Sequence, residues 1–466
     1  MIIISRRINN KSNFESLNLI AKYNIPVPRY TSYPTVPFWD KTPDIEEWKK
    51  LVKDSFNISN SKDGISIYIH LPFCESLCTY CACNTRITVN HKVEEPYIKT
   101  VLKEWDLYLA LFDEKPNIKE IHLGGGTPTF FTAQNLNLLI GGILKSCNIA
   151  DNAEFSFEAH PSNTTSDHLK TLYALGFKRI SFGIQDFDDK VQDAINRYQT
   201  VEEVETAVKM ARTTGYNSVN FDLIYGLPFQ TLSGILHTIE EVIKLKPDRI
   251  AFYSYAHVPW IKPGQRKFTE KDLPLDAEKR ELYEKGKEMF LKSGYTEIGM
   301  DHFSLRTDSL YEAAQKKLLH RNFMGYTHNY TRLMVGLGVS SISDSWTAFA
   351  QNIKTVEEYQ DCVNSGKLPV VKGHVLNDED LILRKHILNI MCHFGTKWSA
   401  VEEQCTSLYE GIERLKELEK DGLVILKPFE LQVTETGKAF LRNICMCIDA
   451  RYWRKTPQAK TFSSAV

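Results

Sequence analysis

The feature that most limits the possible fold is a repeated alternation of strand-like and helix-like segments between residues 65 and 257. Short apolar runs are separated by stretches with apolar residues at i, i+3, i+4 and i+7, as an amphipathic helix covering a sheet must have. The six runs occupy residues 65–72, 118–126, 153–161, 178–185, 217–228 and 248–257. Because right-handed βα crossovers join parallel strands, six such units curl into an open barrel. The sequence therefore predicts an α/β fold with an incomplete (β/α)6 barrel.

Polar residues and glycines follow the ends of these strands, where parallel barrels carry their chemistry. A cysteine loop follows the first strand, and Gly-Gly-Gly-Thr-Pro ends the second. The next four strands end at Glu158, Gln185, Asp222 and Ala256–His257. Polar residues scattered at random would not collect at consecutive strand ends. The pattern therefore predicts a catalytic site at this edge of the sheet.

The cysteine loop has the spacing C-x3-C-x2-C, formed by Cys74, Cys78 and Cys81. Three thiolates at this spacing can hold three irons of a 4Fe–4S cluster, whereas ordinary electron-transfer clusters have four cysteines. The fourth iron would then keep an open position for a ligand. A zinc site or a loop with incidental thiols is the alternative, but zinc motifs usually come as two spaced pairs, and no second pair follows here.

Composition limits the kind of partner and compartment. The 466 residues include 57 Lys+Arg and 58 Asp+Glu, for a formal net charge of -1, so no bulk field favours nucleic acid or an anionic membrane. No apolar run has the length needed to span a bilayer. Ten cysteines are too sparse for a disulfide scaffold. We expect a cytoplasmic monomer without nucleic-acid or membrane partners.

Outside the barrel the patterns are weaker. Residues 1–35 lack helical or strand periodicity and carry three prolines, which predicts an extended arm. The glycine-rich segment 334–343 is expected to form a strand and a turn that return to the site. We expect residues 36–374 to form the barrel with its extension. Residues 375–466 should form a mainly helical domain, with a winged-helix-like order of helix, strand, strand and helix.

A winged-helix shape can indicate DNA binding. The last helix of this pattern carries only Lys438 and Arg442 as cations, too few for the phosphate contacts that dominate such binding. We therefore expect the C-terminal domain to cover a substrate.

Beyond these patterns, the chain resembles a known family over nearly its whole length. The motifs that carry the resemblance are PRYTSYPT from Pro28, the cysteine loop, GGGTPTFF from Gly124, SFGIQDF from Ser181, FDLIYGLP from Phe221, YAHVPW from Tyr255, HRNFMGY from His320 and RNICMC from Arg442. The cysteine loop is similar to that of the radical S-adenosylmethionine (SAM) superfamily. The full series resembles the oxygen-independent coproporphyrinogen III oxidases of haem synthesis. One departure is His160, at a position where that family more often has an acidic residue.

The resemblance implies a 4Fe–4S cluster on Cys74, Cys78 and Cys81, beside two SAM molecules. Cys83 would not be a ligand when SAM is bound, although by spacing alone it could close the fourth iron. Glu158 would accept a hydrogen bond from SAM and serve the reaction together with the three cysteines. The other SAM-contacting positions that the resemblance implies are Tyr68, Tyr80, Gly125, Gly126, Thr127, Gln185, Arg197, Asp222, Ala256 and Ile342.

The residue types suit these roles, but each also has a plainer explanation. Asp222 can accept bonds from ribose hydroxyls, and Arg197 can hold a carboxylate through its planar fork. Taken alone, each polar residue could equally be a paired or exposed side chain. Glu158 could form a structural ion pair, Tyr68 could face the core, and the three glycines could form a tight turn.

The reaction implied by the resemblance converts two propionates of coproporphyrinogen III to vinyl groups and yields protoporphyrinogen IX. It needs a one-electron donor and a final electron acceptor, neither of which the sequence names. A substrate with four carboxylates requires cations, and arginine suits this role. The candidate residues, each of which could also be a solvated surface charge, are Arg29, Arg266, Lys267, Arg321 and Arg442.

Two alternatives share the barrel. One is a haem-binding chaperone of the same superfamily without oxidase activity, although such relatives typically lack both the PRYTSYPT arm and the additional cysteine. The other is a radical SAM enzyme that acts on haem itself. The full-length resemblance favours the oxidase over both.

Overall fold

A computed structural model describes residues 19–455 and 462 of the chain. The strands of the described part are β1 Ile65–Leu71, β2 Phe73–Cys74, β3 Arg86–Ile87, β4 Asn117–Gly125, β5 Asn148–Ala159, β6 Phe177–Gln185, β7 Ser218–Tyr225, β8 Arg249–Ser254, β9 Thr296–Gly299, β10 His302–Ser304, β11 His320–Asn322, β12 Gly325–Thr327, β13 Leu333–Leu337, β14 Ile342–Asp344, β15 Ala348–Asn352, β16 Val370–Val375, β17 Gly395–Lys397, β18 Val424–Lys427 and β19 Glu430–Val433. The α-helices with defined bounds are α1 Ile45–Ser59, α2 Glu94–Leu109, α3 Ala133–Leu144, α4 Ser166–Ala174, α5 Asp189–Ile195, α6 Val201–Thr214, α7 Leu232–Leu245, α8 Asp276–Lys292, α9 Ser309–Gln315, α10 Val356–Asn364, α11 Asp378–His393, α12 Thr406–Lys420, α13 Leu441–Cys447 and α14 Ala450–Arg454.

The centre of the fold is a twelve-stranded sheet whose middle strands run parallel, in the order β13-β1-β4-β5-β6-β7-β8. Antiparallel strands continue the sheet beyond β13 and beyond β8, so it does not close. The predicted incomplete barrel is confirmed, and its six predicted strands are β1, β4, β5, β6, β7 and β8. No helix in the described part is long and apolar enough to cross a membrane.

A seventh parallel strand, β13, pairs with β1 on the side away from β4, with Ile67 opposite Val335. It lies in the glycine-rich segment that was expected to return to the site as a strand and turn. The prediction of six βα units did not include β13. The segment between β8 and β13 contains antiparallel strands, so the βα repeat is interrupted there.

Side chains on the central strands alternate between the two faces of the sheet, with period two. On β5, Phe155 and Phe157 are buried in the apolar core that the sheet shares with the surrounding helices. Ser156 and Glu158, which alternate with them, contact polar groups of neighbouring strands inside the barrel. This alternation brings polar side chains into the lumen.

The C-terminal residues form a second apolar core with the arm. Helices α11, α12 and α13 pack around the small sheet β17-β19-β18, as the winged-helix-like pattern predicts. Residues 19–23 are helical, so the expectation of an extended arm was wrong for this segment. Ile20 and Tyr23, one helical turn apart, are both buried in the second core. Residues 1–18 of the predicted arm lie outside the described residues.

Hydrogen bonds fix the arm to the C-terminal domain. The Arg442 guanidinium donates to the carbonyls of Val27 and Pro28, the latter at 3.1 Å. Tyr30 Oη donates to the buried carboxylate of Asp449 at 3.0 Å. Apolar side chains of the described arm and of the C-terminal domain are also buried in one cluster. The two therefore form one packed unit.

Candidate functional site

The carboxyl ends of β4 to β8 and the cysteine loop enclose a cavity of about 500 Å³, called the strand-end cavity below. The predicted site residues that line it are Cys74, Cys78, Tyr80, Cys81, Gly125, Gly126, Thr127, Glu158, Gln185, Arg197 and Asp222. Cys83 and His160 line it as well. Residues from six separate segments of the chain thus meet at one edge of the sheet.

The cysteine loop is held in place by the segment that follows β6. Thr79 donates from its amide to the carbonyl of Ile195 at 2.9 Å and from its hydroxyl to the carbonyl of Ala194 at 2.8 Å. At the end of the loop, the Arg86 amide donates to the Pro72 carbonyl, at the start of the loop, at 2.8 Å. The thiols therefore face the cavity from a loop tied at both ends.

Each of the three thiols has a different environment. Burial raises the pKa of Cys74 to about 11, and its Sγ lies 3.4 Å from Thr127 Oγ1. Arg197 Nη1 donates to Cys78 Sγ at 3.8 Å. A hydrogen bond between Cys81 and the exposed Cys83 lowers the pKa of Cys81 to about 7. Binding of a metal would drive all three to the thiolate form, because metal ligation releases the thiol proton.

The arrangement fits a cluster better than a single ion. Among the described residues, no group of three cysteine, histidine or acidic side chains converges on one metal position. A 4Fe–4S cluster binds each cysteine through a different iron, so its thiols need not meet at a point. The three loop thiols share one wall of a cavity that also has room for an organic cofactor.

The glycine loop packs directly on the cysteine loop. The Gly126 amide donates to the Leu71 carbonyl at 2.8 Å, and the Thr127 amide donates to the Phe73 carbonyl at 3.0 Å. A Cβ on Gly126 would lie 2.7 Å from the Pro72 carbonyl. Gly125 has a φ of +113°, and its Cβ would meet the His70 ring at 2.7 Å. These two glycines therefore let two segments of the chain approach each other, a reason that the sequence did not reveal.

Glu158 is half-buried at the end of β5. Its Oε2 accepts from the Gly125 amide at 3.3 Å, and its Oε1 lies 3.5 Å from His122 Nε2. Burial opposes ionisation of Glu158, but the hydrogen bond and charge of His122 outweigh it and hold the pKa below its ordinary value. Glu158 is therefore an anionic acceptor at neutral pH, suited to an ammonium group.

His122, which the sequence prediction missed, does not line the strand-end cavity but contacts Glu158, which does. Its Nδ1 bonds Ser156 Oγ at 2.8 Å, and its other ring nitrogen faces Glu158. The signal that could have revealed it is the alternation along β4, where Glu120 and His122 interrupt the apolar residues with period two.

Asp222 faces the same cavity from β7. Ser181 Oγ and Asn220 Nδ2 each donate to its carboxylate at 2.9 Å. Burial, with a smaller contribution from the negative charge of Glu158, raises the pKa of Asp222 to about 6. The two carboxylates are thus unequal, and Asp222 changes charge near neutral pH.

Arg197 joins the end of β6 to the cysteine loop. Its Nη2 donates to the Gly183 carbonyl at 2.5 Å, and its Nη1 faces Cys78. Its buried Nε has no hydrogen-bond partner within the described residues. Gln185, which ends β6 in a left-handed conformation with φ of +66°, lies beside this guanidinium. Arg197 lines the cavity and therefore offers its positive charge to an anionic ligand there.

Tyr68, Ala256 and Ile342 do not line the strand-end cavity. Tyr68 Oη bonds His70 Nδ1 at 3.1 Å, and its ring stacks on His122 with centroids 6.1 Å apart. The Ala256 carbonyl accepts from Gln265 at 3.2 Å, and Ile342 packs against an apolar cluster beside β15. Their predicted contacts with SAM stay predictions.

The five candidate cations are divided among three places. Arg29 and Arg442 line a second cavity of about 310 Å³. Arg321 is buried 4.5 Å from the Tyr326 ring centroid, and its Nε and Nη1 lack partners among the described residues. Arg266 and Lys267 are exposed and bind backbone carbonyls at 3.1 and 2.8 Å. The structure therefore brings only two of the five together in a cavity.

Comparison with known proteins identifies the family. The model of the radical SAM superfamily matches residues 68–242. The oxygen-independent coproporphyrinogen III oxidase of Helicobacter pylori (strain ATCC 700392 / 26695) is 39% identical over 436 residues, which cover 92% of this chain and 95% of that protein. The chain belongs to the oxygen-independent coproporphyrinogen III oxidase family. The family member from Escherichia coli (strain K12) is 35% identical over 455 residues, covering 97% of this chain and 98% of its own.

The solved structure of the Escherichia coli family member, described as coproporphyrinogen III oxidase (HemN) and a radical SAM enzyme, superimposes with a TM-score of 0.85 at 35% identity. The match covers 91% of this chain and 97% of that chain. Membership of the family confirms the predicted radical SAM fold and its cofactors, a 4Fe–4S cluster and SAM. The number of SAM molecules stays a prediction.

Proposed function

We propose that this chain catalyses the oxidative decarboxylation of coproporphyrinogen III to protoporphyrinogen IX without oxygen. The observation that carries this proposal is the strand-end cavity, in which three loop thiols face Glu158, Asp222 and Arg197 within a chain that matches oxidases of this name over nearly its full length. Nothing in the comparisons favours a haem-binding chaperone.

The cofactors supply the hard chemistry and the protein supplies their placement. When bound, the cluster and SAM provide an electron and the removal of a hydrogen atom from the β-carbon of a propionate. Loss of carbon dioxide and of one further electron to an acceptor then leaves a vinyl group. We assign the cluster to Cys74, Cys78 and Cys81, and Cys83 lowers the pKa of Cys81 without being a ligand.

The polar residues of the cavity suit two SAM molecules. Glu158 is placed to accept from an ammonium group, and Asp222 is placed to accept from ribose hydroxyls. Arg197 places a positive charge in the lining, which suits a carboxylate. These groups line one cavity of about 500 Å³, and their different chemistry supports contacts with different parts of SAM.

The division of the chain follows from the same proposal. Residues 1–35 form the arm, 36–374 the catalytic barrel with its extension, and 375–466 the substrate-covering domain. The end of β16 at Val375 and the start of α11 at Asp378 support the second boundary. We further propose that the protein is a cytoplasmic monomer that receives electrons from a one-electron donor and passes others to a separate acceptor.

Anaerobic turnover tests this function. Reconstituted protein is incubated with SAM, a reductant and coproporphyrinogen III, and products are followed by mass and by release of carbon dioxide. We expect two decarboxylations per substrate, with none in a Cys78→Ala control. A haem titration of the same sample completes the test, since stable haem binding without carbon dioxide release would favour the chaperone.

A further inference from the structure

The second cavity lies on the far side of two strand ends from the strand-end cavity. Tyr225 and Ser254, at the ends of β7 and β8, line the second cavity. Asp222 and Tyr253, slightly earlier on the same strands, line the strand-end cavity. The remaining walls come from α8, the arm and the C-terminal domain, so we call it the arm cavity. Only the thickness of the two strand ends separates the cavities.

The lining of the arm cavity is rich in charge, and most of this charge is paired. The ion pairs within the lining are Arg280 with Glu284, Lys287 with Glu297 at 2.6 Å, and Lys438 with Glu435 at 2.6 Å. Arg29 differs from these residues. Its Nη2 donates to the Ser254 carbonyl at 2.6 Å, and it forms no ion pair with any described residue. Its bonded partner is thus a neutral carbonyl, and Asp301 is the carboxylate whose ionisation its charge favours.

Other cations lie close to Arg29. Burial, and then the charge of Arg29, lower the pKa of the Arg442 guanidinium to about 9. Burial, followed by Arg29 and Arg442, lowers the pKa of Lys279 to about 8. Lys279 lies on α8 and donates to the Tyr255 carbonyl at 2.9 Å. Arg29 and Arg442 line the cavity itself, so an anion bound there would be attracted to both.

Asp301 is the lining carboxylate outside the three ion pairs. It is buried, with 7% of its surface exposed, and forms no ion pair within the described part of the chain. Burial raises the pKa of Asp301, against the lowering effect of Arg29, Arg321 and Arg442. In its ionised form, this carboxylate competes with any anionic ligand for the cations of the cavity.

We propose that the arm cavity binds a propionate carboxylate of the tetrapyrrole, one that is not reacting, with the Arg29 guanidinium as its main contact. This inference rests on the proposed function. A cavity of about 310 Å³ accepts a propionate arm but not a tetrapyrrole ring, which stays outside it. The planar guanidinium fork fits a carboxylate. Because the strand ends separate this cavity from the cofactor residues, a carboxylate held here orients the substrate and leaves another propionate for the chemistry.

The test is an anaerobic binding titration of coproporphyrinogen III to the full-length holoenzyme. Loss of one charge-assisted hydrogen bond in Arg29→Gln is expected to weaken binding roughly 10- to 100-fold. Arg454→Gln is the matched control, because Arg454 is an exposed arginine paired with Glu379 outside the cavity. A porphyrinogen with alkyl groups in place of propionates should bind equally to wild type and Arg29→Gln.

Asp301→Asn should change coproporphyrinogen III affinity in the opposite direction to Arg29→Gln. A purely structural role of these residues would not produce this gain in affinity. Removal of the competing carboxylate is expected to tighten coproporphyrinogen III binding several-fold. Binding within twofold of wild type in both Arg29→Gln and Asp301→Asn would overturn the proposal, as would equal weakening in Arg454→Gln. If Arg29→Gln fails to fold, the Asp301→Asn variant tests the proposal alone. Tighter binding of coproporphyrinogen III would support it, and unchanged or weaker binding would overturn it. If wild type neither binds nor decarboxylates the substrate, the proposed function itself fails.

Discussion

The strand-end cavity and the arm cavity lie on two sides of the same strand ends, but they are assembled differently. The first consists of strand ends and short loops of one barrel, each carried by a local motif. The second needs residues from the arm, from α8 and from the C-terminal domain, which are far apart in the sequence. Local motifs thus build the proposed cofactor site, whereas long-range packing builds the cavity that we propose for a substrate propionate.

The two cavities also differ in how they are stabilised. The strand-end cavity depends on close backbone packing, since Gly126 leaves no room for a Cβ beside Pro72. The arm cavity depends on hydrogen bonds between distant segments, such as that from Tyr30 to Asp449. Substitutions in each region should therefore fail in different ways, and four experiments separate them.

The largest effect is expected for the cysteine loop. Cys74→Ala, Cys78→Ala and Cys81→Ala should each lose most of the iron and all SAM cleavage, because each removes a thiolate from the cluster. Cys83→Ala should retain the iron. Iron and sulfide analysis of anaerobically purified protein checks this result. Equal loss of iron in all four variants would contradict the assignment of three ligands.

The next effect tests the packing of the two loops in the strand-end cavity. In Gly126→Ala the new Cβ would lie 2.7 Å from the Pro72 carbonyl, so the cysteine loop must shift. We expect a several-fold loss of iron and a fall in Tm of several degrees. Gly141→Ala is the matched control, since its Cβ meets nothing within 4 Å on helix α3, where alanine is favoured. Full iron content in Gly126→Ala would show that the cysteine loop can shift without losing the cluster, and would contradict this expectation.

A third experiment uses the unequal carboxylates of the strand-end cavity. With its pKa raised to about 6, Asp222 is ionised above this pH and becomes protonated as the pH falls through it. The carboxylate is the better acceptor for ribose hydroxyls, so SAM affinity should fall about threefold to tenfold between pH 7 and pH 5. Asp222→Asn should bind SAM more weakly at pH 7 and show a flatter profile. An unchanged profile, measured by equilibrium dialysis, would argue against this contact.

The smallest effect on the cofactor site is expected for a substitution in the arm. Tyr30→Phe leaves the buried carboxylate of Asp449 without its phenol donor, which should lower the free energy of unfolding by about 1–3 kcal/mol. Tyr409→Phe is the control, because Tyr409 is exposed and bonds only Gln404 in the described structure. Denaturant unfolding followed by far-UV circular dichroism measures both. Iron content should stay normal in Tyr30→Phe, in contrast to Gly126→Ala.

Much of the fold could be predicted from period and spacing. The βα repeat predicted six strands of the barrel, and β13 was recognised as a strand but not as a parallel partner of β1. The helix at residues 19–23 was missed, because one turn is too short to show periodicity and gains its stability from packing. His122 was missed because it lies within β4, before the strand end, where polar and apolar side chains alternate.

By itself, the sequence determined the parts of this protein that depend on neighbours along the chain: the strands of the barrel, the cysteine loop and the polar residues at strand ends. Local spacing suffices there, because parallel strands place their ends at one edge of a sheet. Only the tertiary structure decided which cations meet. Arg29 and Arg442 are joined in one cavity because the arm packs into the C-terminal core, while Arg266 and Lys267 stay at the surface. Such contacts depend on packing between segments hundreds of residues apart, which no local pattern encodes.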